Sequence, residues 1–111
     1  MVDLKHIKNI YLYASPISLT LGIPSLTNLI EANYTDDQKM NSLFVFFGNN
    51  KSQIKIIEFD SSGTWLYQKR LKEANFQFPQ YEENAKIDKR QLLAILNSLK
   101  PKKIRNNTKK D

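Results

Sequence analysis

"LFVFFGNNKSQIKIIEFDSSGTWLYQKRL", residues 43–71, is the stretch on which the reading of this chain turns. It holds apolar runs of strand length at 43–47, 53–59 and 64–71, separated by "GNNKS" and "DSSG". Valine, isoleucine and aromatic side chains fit a pleated, half-buried surface. Glycine and asparagine tolerate positive φ, and aspartate and serine bond to nearby backbone amides, so both separators carry turn chemistry. The segment reads as a three-stranded antiparallel meander.

Outward from the meander the periodicity changes. Upstream, "IKNIYLYA" at 7–14 is a further strand, closed by Ser15-Pro16. From Pro24 onward Leu26, Leu29, Ile30 and Ala32 recur at helical spacing, which predicts a helix over 24–33, and "NYTDDQKMNS" is a polar connection. Downstream, "EANFQFPQYEENAK" is an aromatic loop or short edge strand stopped by Pro79. "IDKRQLLAILNSLK" is a helix with Asp88 as N-cap, Gln91 as its capping-box partner and an Ile87–Leu92 staple. Its buried stripe is Leu92, Leu93, Ile95, Leu96 and Leu99, and Pro101 stops it. The order β-α-β-β-β-α makes a small single α+β domain over 1–99, a twisted antiparallel sheet with two packing helices on one face and the other face open. Residues 100–111 form a basic tail without periodicity, expected to be disordered.

Composition narrows the chemistry. With 111 residues and 41% apolar residues the chain supports one folded domain. No apolar run approaches the roughly 20 residues of a membrane span, and the first residues lack a signal-peptide pattern, so a cytoplasmic protein is expected. Without cysteine there is no disulfide, thiolate metal site or cysteine nucleophile, and one histidine cannot build a histidine cage. Of the net charge of +6, five units sit in the segment 100–111, with its six cations and one acid, which leaves +1 for the rest. The inference from basicity to nucleic acid therefore attaches first to the tail, with Lys102, Lys103 and Arg105, and then to local clusters.

One such cluster is Lys51, Lys55, Lys69, Arg70 and Lys72. A hairpin closed at "DSSG" brings residue 55 opposite 67–69, so these cations gather toward one end of the sheet, although alternation sends Lys69 and Arg70 to opposite faces. Trp65 is open to two readings, core filler or exposed platform. Glu58 and Asp60 share a strand face, and Asp60 at the first turn position is read as bonding to backbone amides. Asp36 and Asp37 are read as turn or cap residues, and His6 as incidental. No nucleophile motif, phosphate loop or metal-ligand spacing occurs. No catalytic residue, metal, cofactor or small-molecule substrate is expected.

These residues resemble a known family, the small TnpB accessory proteins encoded beside the transposase in insertion-sequence elements of type sixty-six. The likeness rests on Leu43-Phe44-Val45-Phe46, Ile54-Lys55, Phe59-Asp60, Gly63, Trp65-Leu66, Lys69-Arg70-Leu71, Phe76 and Pro79, in register without a gap. Tyr11-Leu12, Pro16, Gly22-Ile23, Leu26 and the leucine-rich helix at 92–99 extend it to about residues 7–99. Where the family reads Asp-Met-Arg-Lys this chain has Ser18-Leu19-Thr20-Leu21, and Phe59 stands for a family tryptophan. The resemblance implies a non-enzymatic factor that assists transposition, with element DNA, the transposase, or both as partners. Its motif supports Lys55, Asp60, Gly63, Trp65, Lys69 and Arg70 as the residues that matter. Lys55, Lys69 and Arg70 are then expected to meet phosphates, with Asp60 and Gly63 holding the turn that presents them. Two rival readings remain. One is a protein-only adaptor docking the transposase through a strand edge or the loop of Phe76, Phe78 and Tyr81. The other is a nuclease holding Mg²⁺ between Glu58, Asp60 and a third acid, Glu73 or Asp37.

Overall fold

The computed structural model describes residues 4–13, 15–18, 20–78 and 85–101. Its elements are β1 (Asn9–Leu12), α1 (Ile23–Asn33), α2 (Asp36–Lys39), β2 (Ser42–Phe47), β3 (Gln53–Asp60), β4 (Gly63–Arg70), β5 (Ala74–Asn75), β6 (Ala85–Ile87), α3 (Lys89–Asn97) and β7 (Lys100–Pro101). The α+β class and the β2–β3–β4 meander stand as the sequence predicts, and the main sheet has the order β4-β3-β2-β1-β6. One pair differs: β1 runs parallel to β2, in register from Asn9 opposite Ser42 to Leu12 opposite Val45. The link between them is α1 and α2, the kind of helical crossover that a parallel pair requires.

The expected open face is not there over the centre of the sheet. Leu26 and Ile30 of α1 pack with Tyr11, Phe44, Phe46 and Ile57 on one side. Leu92 and Ile95 of α3 pack with Ile10, Leu12, Leu43, Val45, Ile54, Ile56 and Ile87 on the other. The two helices thus lie on opposite faces, and every residue of β2 is buried. An unbroken apolar run such as "SLFVFF" is what burial on both faces demands. Tyr11, Tyr34 and Phe44 form an aromatic knot under α1, with ring centroids 4.8–5.4 Å apart.

Helix ends follow local chemistry. Thr35 accepts from the Gln38 amide while Gln38 accepts from the Thr35 amide, so the segment read as a plain connection carries the capped turn α2. Asp88 and Gln91 make the same reciprocal pair at α3. There the helix ends at Asn97, where the Ser98 hydroxyl turns back to the Ile95 carbonyl at 2.8 Å, before Pro101 is reached. Only Leu92 and Ile95 of its predicted stripe are buried, and Leu93 and Leu99 are exposed. Pro79 and Tyr81 lie outside the described residues, as do Lys102, Lys103 and Arg105 with the rest of the tail beyond Pro101.

Candidate nucleic-acid interface

The β3–β4 hairpin is closed by Ser61-Ser62 between the paired residues Asp60 and Gly63. Neither serine has positive φ, and neither does Gly63; among the described residues Asn41 and Lys51 are the non-glycine residues that do. The turn is held instead by the Asp60 carboxylate. Its Oδ1 accepts from the Ser62 amide at 2.8 Å, the Ser62 hydroxyl at 2.9 Å and the Gly63 amide at 2.9 Å. These donors, led by the Ser62 amide, hold the Asp60 carboxyl below the ordinary aspartate range. Its Oδ2 accepts from the Trp65 indole Nε1 at 2.8 Å.

Trp65 is not core: the residue is 54% exposed. Its ring lies nearly parallel to that of Tyr67, 15° between planes and 6.0 Å between centroids. The Tyr67 hydroxyl in turn donates to Glu58 Oε1 at 3.0 Å. Glu58 is only 5% exposed, and its Oε2 lies 2.8 Å from His6 Nε2. His6 is therefore a partner of a buried carboxylate rather than incidental. Nothing in the local pattern announces a pair separated by 52 residues. Desolvation first, and then the Glu58 carboxylate, push the Tyr67 phenol above its usual pKa. Glu58 and Asp60 do share a strand face, yet both carboxylates are engaged by protein donors. Among the described residues no group of three or more acidic or histidine side chains is arranged to hold a metal ion.

The cations fall into two groups. Lys55 is 6% exposed, with its ammonium donating to the Leu21 carbonyl at 2.6 Å. A lysine so enclosed offers no surface to a phosphate, and the expectation that it meets one is corrected. Lys69, Arg70 and Lys72 are exposed at the end of the hairpin remote from its turn. About 23 Å of strand separates them from Asp60 and Gly63, which therefore do not present them. What presents them is the β2–β3 turn: Leu71 donates to Ser52 at 2.8 Å, Phe76 donates to Lys51 at 2.8 Å, and Gln53 pairs with Arg70. Asn50, Ser52, Arg70, Leu71 and Lys72 line a shallow recess at this end. Lys51 stands in the same turn with φ 57°, the left-handed region that a glycine or asparagine was expected to take.

The tail starts from the same place. Lys100 and Pro101 pair with Asn75 and Ala74, directly after the Arg70–Lys72 strand end. The last described residues, Lys100 and Pro101, therefore lie close to the backbone of Lys51, which accepts from the Phe76 amide. Phe76 is fully buried and Phe78 stacks on Phe47 at 4.3 Å, so these two aromatics serve the core and not a docking loop.

A family model described as IS66 Orf2 like protein matches residues 8–106. No match was found among curated proteins or among solved structures.

Proposed function

We propose, from the premise that the chain belongs to the IS66 Orf2-like family of insertion-sequence accessory proteins, that it assists transposition by binding the element's DNA without catalysing a reaction. The observation that carries this reading is the convergence of Arg70 and Lys72 on the recess lined by Asn50 and Ser52, with Lys51 in the same turn and the β5–β7 pair of Asn75 with Lys100 beside it. Guanidinium and ammonium groups around a recess with amide and hydroxyl neighbours suit the phosphates of a duplex backbone. Such contacts fix position and supply salt-dependent affinity, which is what an assisting factor contributes. Lys69 points to the opposite face from Arg70 and extends the cationic surface around the strand edge.

The test is fluorescence anisotropy of a labelled duplex from the element's end and of a scrambled duplex, each at two salt concentrations. Because Lys100 and Pro101 are part of a strand pair, the tail is neutralised by Lys102→Ala, Lys103→Ala and Arg105→Ala together rather than cut away. The expected result is binding that survives tail neutralisation and weakens on Arg70→Ala or Lys72→Ala. Binding lost entirely with the tail charges would reject the recess.

A second reading is favoured by the position of β4. Among the described residues it is an edge strand of the main sheet, with one side of its ladder unpaired, and edge strands accept added strands. On that reading the transposase docks there, and the chain with its tail neutralised shows little salt-sensitive affinity for duplex DNA.

A further inference from the structure

Trp65, Tyr67 and Lys69 occupy alternate positions of β4 and so share one face of the edge strand. The exposed indole among them is held in place. Its one polar atom is bonded to Asp60, whose other oxygen is fixed by three donors of the turn. Its ring continues a stack begun by Tyr67, which is itself tied to the buried Glu58. The hydrogen-bonding capacity of Trp65 is thus used inside the protein, and what it offers outward is a fixed, flat aromatic surface. Beyond Lys69 the strand leads into Arg70 and Lys72. Asp60, the acid at the other end of the strand, has its carboxylate occupied by four donors.

We infer that this ladder binds single-stranded nucleic acid, an unpaired base stacking on Trp65 while the backbone of the same strand runs toward Lys69. A duplex does not offer this contact, because its bases stack on one another and expose edges rather than faces. An unpaired base exposes a face, and aromatic side chains beside a cationic track are how proteins hold such strands without reading sequence. From Trp65 to Lys69 the strand advances about 13 Å, so the cation meets a phosphate beyond the stacked base. The inference rests on the proposed DNA-binding reading and assigns to the β4 face a different ligand from that of the basic recess.

The chain contains one tryptophan, so intrinsic indole fluorescence reports this site alone. The full chain is titrated with an oligothymidylate and, separately, with a duplex of matched length, while labelled forms of both are followed by anisotropy. The single strand is expected to quench Trp65 and the duplex to leave it unchanged. Trp65→Ala is expected to weaken single-strand binding about tenfold, the effect of losing one stacked base. Should the alanine variant fail to fold, the parent chain decides the matter: quenching of Trp65 by the single strand and not by the duplex supports the inference, and equal quenching or none overturns it. Unchanged affinity in a folded Trp65→Ala chain, or equal quenching by duplex and single strand, overturns the inference. If duplex binding is present but the single strand neither binds nor quenches, the ladder is not a nucleic-acid site and the recess reading stands. If neither nucleic acid binds, both readings fall.

Discussion

The Lys55 ammonium donates to the Leu21 carbonyl at 2.6 Å, joining the middle of β3 to the residue that precedes the N-cap of α1. A lysine that local alternation marks as a strand cation is in this fold a strut between the sheet and the segment that leads into its first helix. The family motif includes this lysine, and the geometry gives it a structural reason to be there that does not involve DNA.

Lys55→Ala is accordingly expected to act on stability. Removing a buried charged donor leaves the Leu21 carbonyl short of a partner and opens space beside β3, at a cost of about 1–3 kcal/mol. Lys55→Met, which keeps the packing of the stem, should lose less. Urea melts of the two variants check this. At temperatures where both are folded, their duplex affinity should equal that of the parent chain, in contrast to Arg70→Ala.

Asp60 makes a prediction in acid. Its folded pKa is lowered by the turn donors, so its contribution to stability is complete above the unfolded value of about 3.9 and disappears as pH falls through the lower, folded value. Trp65 senses the event through the Nε1–Oδ2 bond. Its emission should shift with a midpoint below about 3.9. In Asp60→Asn that transition should vanish, and a midpoint at or above the ordinary aspartate value would show that the carboxylate does not hold the indole.

The elements that sequence reading placed correctly are those whose signals are local. The meander declares itself in its turn words, α1 in Pro24 and its apolar spacing, and α3 in Asp88 with Gln91. The four-residue α2 was equally local, since Thr35 and Gln38 have capping-box spacing, but the run of polar side chains hid it. What sequence did not deliver is set by long-range contact. The parallel β1–β2 pair depends on how α1 folds back, and the second covered face depends on where α3 lands. A hint of the latter was available in "SLFVFF", which lacks the alternation of a one-sided strand. At the site, the Asp60 turn was legible because an aspartate at that position bonds to the amides just ahead of it. The burial of Lys55, the His6–Glu58 contact and the left-handed Lys51 were not, because each is imposed by residues far along the chain or by the closure of a turn.

Tyr67 supplies a prediction at high pH. Its folded pKa is raised, first by desolvation and then by the neighbouring Glu58 carboxylate, so its contribution to stability is intact below the unfolded value of about 10 and is lost as pH rises through the higher, folded value. The chain has five tyrosines, so the difference between the ultraviolet titration of the parent and that of Tyr67→Phe isolates this phenol. The isolated curve should have its midpoint above about 10. Glu58→Gln, which removes the carboxylate charge beside the hydroxyl, should move the midpoint back toward the ordinary value.

Lys51 separates function from stability most cleanly. Its φ of 57° places a side chain where a Cβ crowds the following carbonyl, which costs roughly 1–2 kcal/mol for a residue other than glycine. Glycine removes that crowding but adds freedom to the unfolded chain, worth about 0.5–1 kcal/mol. Lys51→Gly should therefore leave the chain as stable as before or more stable by up to about 1.5 kcal/mol, measured by thermal melting. The same substitution removes a cation from the basic end of the sheet. If Lys51 meets a phosphate, duplex affinity falls and the slope of log affinity against log salt drops by about one, while the protein melts no earlier. A stabilised variant with undiminished affinity would mean that the turn is shaped for the β2–β3 connection alone and that Arg70 and Lys72 bind without it.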